Sequence, residues 1–144
     1  MTACLYEKDV VAWAEQQKEY LKAGQLHKLD IEHLLEEMDD VGNSYKHALE
    51  SYFKVLICHL LKWKHQPSQR SCSWVGSINN SRRSIEKIIK KNPSLKNYLQ
   101  TAFEEEWEIA RKWALDEMGM KSNAISSFCP FTLHYAMHEP ISME

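Results

Sequence analysis

DIEHLLEEMDDVGNSYKHALESYFKVLICHLLKW, Asp30 to Trp63, decides the fold. Its apolar residues Ile31, Leu34, Met38, Val41, Tyr45, Leu49, Tyr52, Leu56, Leu60 and Trp63 recur every three or four positions, the period of a helix face. Asp30 is a good N-cap for it. Gly42 and Asn43 fall in the middle, and a glycine there weakens a helix by about 1 kcal/mol relative to alanine. The apolar phase nevertheless continues unchanged beyond them. The expectation is one long helix, kinked at Gly42 at most.

Outward from this helix the same period holds. Upstream, Val10, Trp13, Ala14 and Leu21 share a face of a first helix expected from Tyr6 to Leu21, with Gly24 near its stop and the loop GQLHKL behind it. Downstream, HQPSQRS interrupts the pattern, because Pro67 cannot continue a helix and disfavours helical geometry at Gln66. A third helix restarts near Ser71 to Ser73 and carries Trp74, Val75, Ile78, Ile85 and Ile89. Asn92 and Pro93 then read as an N-cap and first-turn proline of a fourth helix. That helix runs to about Met118, with Leu95, Leu99, Ala102, Phe103, Trp107, Ala110 and Ala114 facing inward and Gly119 ending it. The tail SSFCPFTLHYAMHEP is expected to pack Phe128, Phe131 and Leu133 against the bundle and to add a short helix.

The predicted fold is therefore all-α, a helical bundle of about four main helices with one long second helix and a short C-terminal helical tail. At 144 residues a single helical domain over residues 1–144 is expected. No apolar run has the length of a membrane span, and MTACLYEKDVV lacks the basic and apolar regions of a secretory signal, which points to a cytoplasmic protein without a membrane partner. Cys4, Cys58, Cys72 and Cys129 are neither paired closely enough for a zinc site nor dense enough for a disulfide scaffold, so reduced thiols are expected. Of these only Cys72, beside Arg70 in the break, has a setting that lowers a thiol pKa.

Three stretches, taken in order, carry a family resemblance: LEEMDDVG from Leu35, HLLKW from His59 leading through Arg70 to Ser73 and Trp74, and NPSL from Asn92. The opening YEKDVVAWAEQQ and the late CPFTL match as well. Across about Tyr6 to Leu133 the chain resembles the bacterial family catalogued as domain of unknown function 29. The resemblance implies a compact helical domain with no assigned activity and no catalytic residues to carry over.

Laying each helix out at about 100° per residue turns one polar side chain per helix into the apolar arc. These are Gln17, His59, Arg82 and Glu106. A charge removed from water needs a partner, so Arg82 and Glu106 are expected to pair inside the bundle with His59 nearby. Such a cluster is a candidate catalytic site if a pocket opens onto it, and a core network fixing helix register if none does. His33 and Glu37 are one turn apart on the second helix and reach a common ion, but two ligands are too few for a metal site, and no cofactor motif occurs. Neither a Ser-His-Asp arrangement nor a glycine-rich phosphate loop is present.

Residues 62 to 96 hold nine Lys or Arg against the single acid Glu86, a net of +8, whereas each flank is −5 in a chain of formal charge −2. Lys64, Arg70, Arg83, Lys87, Lys90 and Lys91 form a row suited to phosphate backbones. Trp63 and Trp74 fit the core better than a base-stacking platform. A solvated face complementing Glu104, Glu105 and Glu108 is the plainer account of the lysines. The sequence thus favours a non-enzymatic protein-binding domain, with a nucleic-acid-binding third helix and an enzyme or metal protein built on the interior polar residues as alternatives. A homodimer through the long helix or the tail aromatics is a further expectation.

Overall fold

The computed structural model describes residues 4–144, which are all-α, with six helices and no strand among them. In chain order these are α1 (Leu5–Lys8), α2 (Val10–Lys22), α3 (Ile31–His65), α4 (Cys72–Lys91), α5 (Leu99–Met118) and α6 (Leu133–His138). No helix among these residues is long and apolar enough to cross a membrane.

The first helix departs from expectation at Asp9, whose backbone is extended (φ −157°, ψ 93°) and whose side chain accepts from the Ala12 amide at 3.0 Å. An aspartate that caps a helix cannot also continue one, so the chain divides into α1 and α2. Gly24, at φ 71°, turns the chain out of α2 in the left-handed region that glycine occupies without strain. α3 runs unbroken through Gly42 as expected, and Asp30 caps it by accepting from the His33 amide at 3.4 Å. Pro67 ends it in a 3₁₀ turn, and Ser71 caps α4 by accepting from the Trp74 amide at 3.3 Å.

The fourth helix starts later than expected. Asn92 donates its side-chain amide back to the Ile88 carbonyl at 3.1 Å, so it closes α4 and does not cap the next helix. Residues Pro93–Tyr98 form a 3₁₀ segment, and α5 begins only at Leu99. Gly119 ends α5 at φ 64°, with the Met120 amide donating to Leu115 at 3.0 Å.

The chain forms two compact units, residues Met1–Asn43 and Ser44–Glu144, with α3 running across the division. The larger unit holds the core: Leu49, Phe53, Leu56, Ile57 and Leu61 of α3, Ile78 and Ile85 of α4, Ala102, Ala110 and Ala114 of α5, and Ala136 of α6 are fully buried. Each buried Leu, Ile or Phe contributes about 1.5 to 3 kcal/mol over an exposed one. Phe53 meets Phe103 edge to face at 5.9 Å, and the alanines of α5 let its backbone approach its neighbours. Phe131 is buried as expected, but Phe128 is 82% exposed. Its neighbours are held by a tight turn, the Ser127 carbonyl accepting from Trp107 Nε1 at 2.9 Å and Ser126 Oγ accepting from the Phe128 amide at 3.1 Å, which leaves the ring outside.

The smaller unit buries little, with Trp13 and Gln17 its only buried residues among those described. Here the expected inward set of α3 is overturned, since Ile31, Met38 and Val41 are exposed. The helix turns His33 and Glu37 toward α1 and α2 instead, where they meet Tyr6 and Trp13.

Candidate functional site

The N-terminal unit is organised about Asp30. One oxygen of its carboxylate accepts from Trp13 Nε1 at 3.0 Å and from His33 Nδ1 at 2.7 Å, and its backbone amide donates to Gln17 Oε1 at 2.7 Å. The hydrogen bond from His33, with help from that of Trp13, holds the Asp30 carboxyl below the usual range, and the same bond to Asp30 holds the imidazole above its own. Tyr6 stacks on His33 with ring centroids 4.1 Å apart and donates to Glu37 Oε1 at 2.7 Å, which pushes the phenol up to about 12. Gln17 is thus buried as its helical phase requires, and its partner is a helix cap.

This network grips one side of α3 and fixes what its other side presents. Ile31, Leu35, Met38 and Val41 recur at helical spacing and are 57 to 69% exposed. Glu32, Glu36, Asp39 and Asp40 are exposed beside them, and no Lys or Arg occurs between Lys28 and Lys46. Val10, Val11, Leu21 and Leu26 are exposed in the same unit, which therefore holds eight of the twelve exposed large apolar side chains among the described residues. An exposed apolar row with a charged border marks a contact surface more often than a solvated one. Sequence periodicity placed Val10, Leu21, Ile31, Met38 and Val41 inside, and all five are exposed; what it missed is that Tyr6, Asp30, His33 and Glu37 join Trp13 on the inner side.

His33 and Glu37, the candidate ligand pair, each have a different protein partner, Nδ1 of His33 bonding Asp30 and Oε1 of Glu37 accepting from Tyr6. No group of three or more His, Cys, Asp or Glu among the described residues is arranged to hold a metal ion.

In the larger unit Arg82 and Glu106 do not pair. Arg82 is buried, but it donates to the Ala136 carbonyl from Nε at 2.8 Å and to the Tyr135 carbonyl from Nη2 at 3.4 Å, with Glu139 and Glu86 supplying longer-range charge. Carbonyls at the end of a helix satisfy a guanidinium without a carboxylate. Glu106 is half-buried, and burial, with Glu50 and Glu105 near it, raises its pKa against the opposing effect of Lys54. His59 donates Nδ1 to the Val55 carbonyl at 2.8 Å on its own helix, lies edge-on to Trp113 at 6.4 Å, and is pushed down by burial. The three share no partner, and the cleft between α4 and α6 is lined by none of them.

An ion pair of this unit that the helical phase did not single out joins the buried Lys62 to the exposed Glu117. Lys62 Nζ also lies 5.7 Å from the centre of the Trp74 ring. A second anchor, Arg111, donates to the carbonyls of Ser122, Ile125 and Ser126 and ties the segment after α5 to that helix.

The basic row is dispersed by such contacts. Arg70 donates to the Trp63 carbonyl at 2.9 Å and covers its ring at 4.4 Å, Lys64 lies 5.8 Å from the Phe131 ring, Arg83 donates to Asn80 Oδ1 at 2.7 Å, and Lys91 lies 5.4 Å from the Tyr45 ring. Lys87 and Lys90 are exposed. The acids expected to complement them lie elsewhere, Glu108 with Arg111 and Lys112 and Glu104 with Gln100. Trp63 is buried and Trp74 half-buried, core positions for both.

No curated protein and no solved structure matches this chain. A family model does, over residues 5–140, slightly more than the stretch carried by the sequence motifs. The chain belongs to the family described as domain of unknown function DUF29.

Proposed function

We propose that this domain is a non-enzymatic binding module for another protein, with the exposed row Ile31, Leu35, Met38 and Val41 on α3 as its docking face. The observation that carries this reading is the concentration of exposed apolar side chains in the one unit that buries almost none. The partner is a helix whose apolar seam is flanked by Lys or Arg, because every charge beside the row on α3 is negative. Pairing of the row with its counterpart in a second copy sets acid against acid and is disfavoured for the same reason. The basic row from Lys64 to Lys91 supports nucleic-acid binding less well, since four of its six cations have contacts within the chain.

A photo-crosslinking side chain placed at Leu35 tests this in the native host. Crosslinks are expected to fall on a basic, apolar-faced helix of one partner, to weaken as salt is added, and to disappear in the Met38→Asp variant. Crosslinks that survive Met38→Asp, that fall on nucleic acid, or that fall on α3 of a second copy overturn the reading.

A further inference from the structure

α4 and α6 repeat one register. On α4, Ile85 and Ile89 are followed each by a polar residue, Glu86 and Lys90; on α6, Leu133 and Met137 are followed each by a histidine, His134 and His138. Helical geometry puts residues four apart on one row and their successors on the next row round the axis. The two helices thus face each other with matched apolar rows and matched polar rows, and together with Leu99 they line one open cleft of about 480 Å³. Ile85 and Met137 are buried, Ile89, Leu99 and Leu133 are half-buried, and the four polar residues are exposed. The result is an apolar trough with a polar lip along both sides.

Its dimensions select the occupant. Ligand pockets fall in the range of about 300 to 1,000 Å³. Each wall is one four-residue step long, about 6 Å along the helix axis, which is too short for an amphipathic helix that needs anchors over two turns or more. The trough itself offers no hydrogen-bonding side chain, so the part of a ligand that fills it carries no polar group, which would be left unsatisfied there. The lip differs. Lys90 makes no ion pair among the described residues, and the His134 and His138 rings lie 4.8 Å apart, against the single carboxylate of Glu86. Lys90 is cationic and each imidazole carries a ring N–H in either tautomer, so an anionic head group finds donors at Lys90, His134 and His138, away from the carboxylate of Glu86.

We infer that this cleft binds a small amphipathic carboxylate, its aliphatic chain lying on Ile85, Ile89, Leu133 and Met137 and its head group at Lys90 and the two histidines. The site is separate from the docking row on α3 and stands or falls without it.

Titration calorimetry of the full chain with decanoate, decanol and decyltrimethylammonium tests the proposal. Decanoate is expected to bind saturably at one site with a negative heat-capacity change. Decanol binds more weakly by about tenfold to a hundredfold, the worth of a hydrogen bond to a charged group, and the cation weaker still. Lys90→Gln lowers decanoate affinity by the same factor and leaves decanol unchanged. Leu133→Asn, at a half-buried position, removes both. Methyl resonances of Ile85, Ile89, Leu99, Leu133 and Met137 shift on adding decanoate to the unaltered chain, a measurement that needs no variant. No saturable binding, methyl shifts elsewhere only, or decanol binding as tightly as decanoate overturns the proposal.

Discussion

The His33 imidazole and the Asp30 carboxylate lie 2.7 Å apart across the first turn of α3, each holding the other in its charged form. The hydrogen bond from His33 lowers Asp30 below 3.8, so Asp30 contributes stability above that pH and loses it as pH falls through its folded value. The bond to Asp30 raises His33 above 6.5, so His33 contributes fully below that pH and loses its share as pH rises through its folded value. Both contributions are complete only between 3.8 and 6.5. Amide exchange of α2 is therefore expected to be slowest in that window and to quicken on the alkaline side once the intrinsic pH dependence of exchange is removed. In His33→Gln the alkaline change vanishes. If it persists in that variant, the pair is not its source.

Arg82 ties α6 to α4 through two backbone carbonyls rather than through an acid. Arg82→Met keeps the apolar stem and loses the fork, and is expected to cost about 1.5 to 3 kcal/mol, the range for hydrogen bonds to a charged group. The loss should fall locally, with amides of residues 133–138 exchanging faster than those of α5. Glu106→Gln, by contrast, leaves α6 unaffected, because Glu106 is not its partner. Equal effects of the two substitutions would restore the pairing that the helical phase suggests.

The contrast shows what periodicity can and cannot give. The phase placed Leu49, Leu56, Leu60 and Trp63 of α3 correctly inside the larger unit, though Tyr52 in the same set is exposed, and it placed Arg82 and Gln17 inside. It could not say what meets them. A guanidinium satisfied by carbonyls of a short helix 54 residues away leaves no trace in the spacing of its own helix. Nor does spacing distinguish Ile31 from Leu34 when a dense polar and aromatic set occupies the inner side, as at Tyr6, Trp13 and His33. Asn92 misled for a related reason: the same amide serves either helix end, and only the fold decides which. The α4 and α6 rows, by contrast, are written in the sequence as two matched dipeptide pairs, though nothing local says that they face one another.

Lys62 is 7% exposed and paired with Glu117, whose side chain is 41% exposed. Removing the acid leaves an ammonium in the interior, whereas removing the lysine leaves an acid that water can reach. Glu117→Gln is expected to cost about 1 to 3 kcal/mol, below the value for a fully buried pair because solvent already screens one partner. Lys62→Met is expected to cost less than about 1 kcal/mol, since an apolar chain of similar shape fills the same space. Urea unfolding of both variants checks the order, and a larger loss for Lys62→Met reverses the argument.

Cys58 is fully buried, and burial pushes its thiol up to about 12, while Cys4 and Cys72 are exposed. The thiolate is the reactive form, so exclusion of the reagent and retention of the proton both protect Cys58. In the folded chain a maleimide is expected to modify Cys4 and Cys72 first and Cys58 only at the rate of unfolding, read by mass spectrometry of the digested protein. Early modification of Cys58 would mean that the core of α3 opens readily.

Gly42 and Gly119 both have open space where a side chain would go, so sterics do not separate them. Backbone conformation does. Gly42 lies inside α3 in ordinary helical geometry, where the sequence pattern left a kink possible and the helix continues instead. Alanine there removes the entropy that glycine loses on folding, and Gly42→Ala is expected to stabilise the chain by about 0.5 to 1 kcal/mol. Gly119 is at φ 64°, left-handed, where alanine's Cβ crowds its own carbonyl, and Gly119→Ala is expected to destabilise by about 1 to 2 kcal/mol. The same substitution thus changes stability in opposite directions at two open sites. Thermal unfolding of the two variants under one condition gives the signs directly, and a stabilised Gly119→Ala would mean that α5 does not end in the left-handed turn.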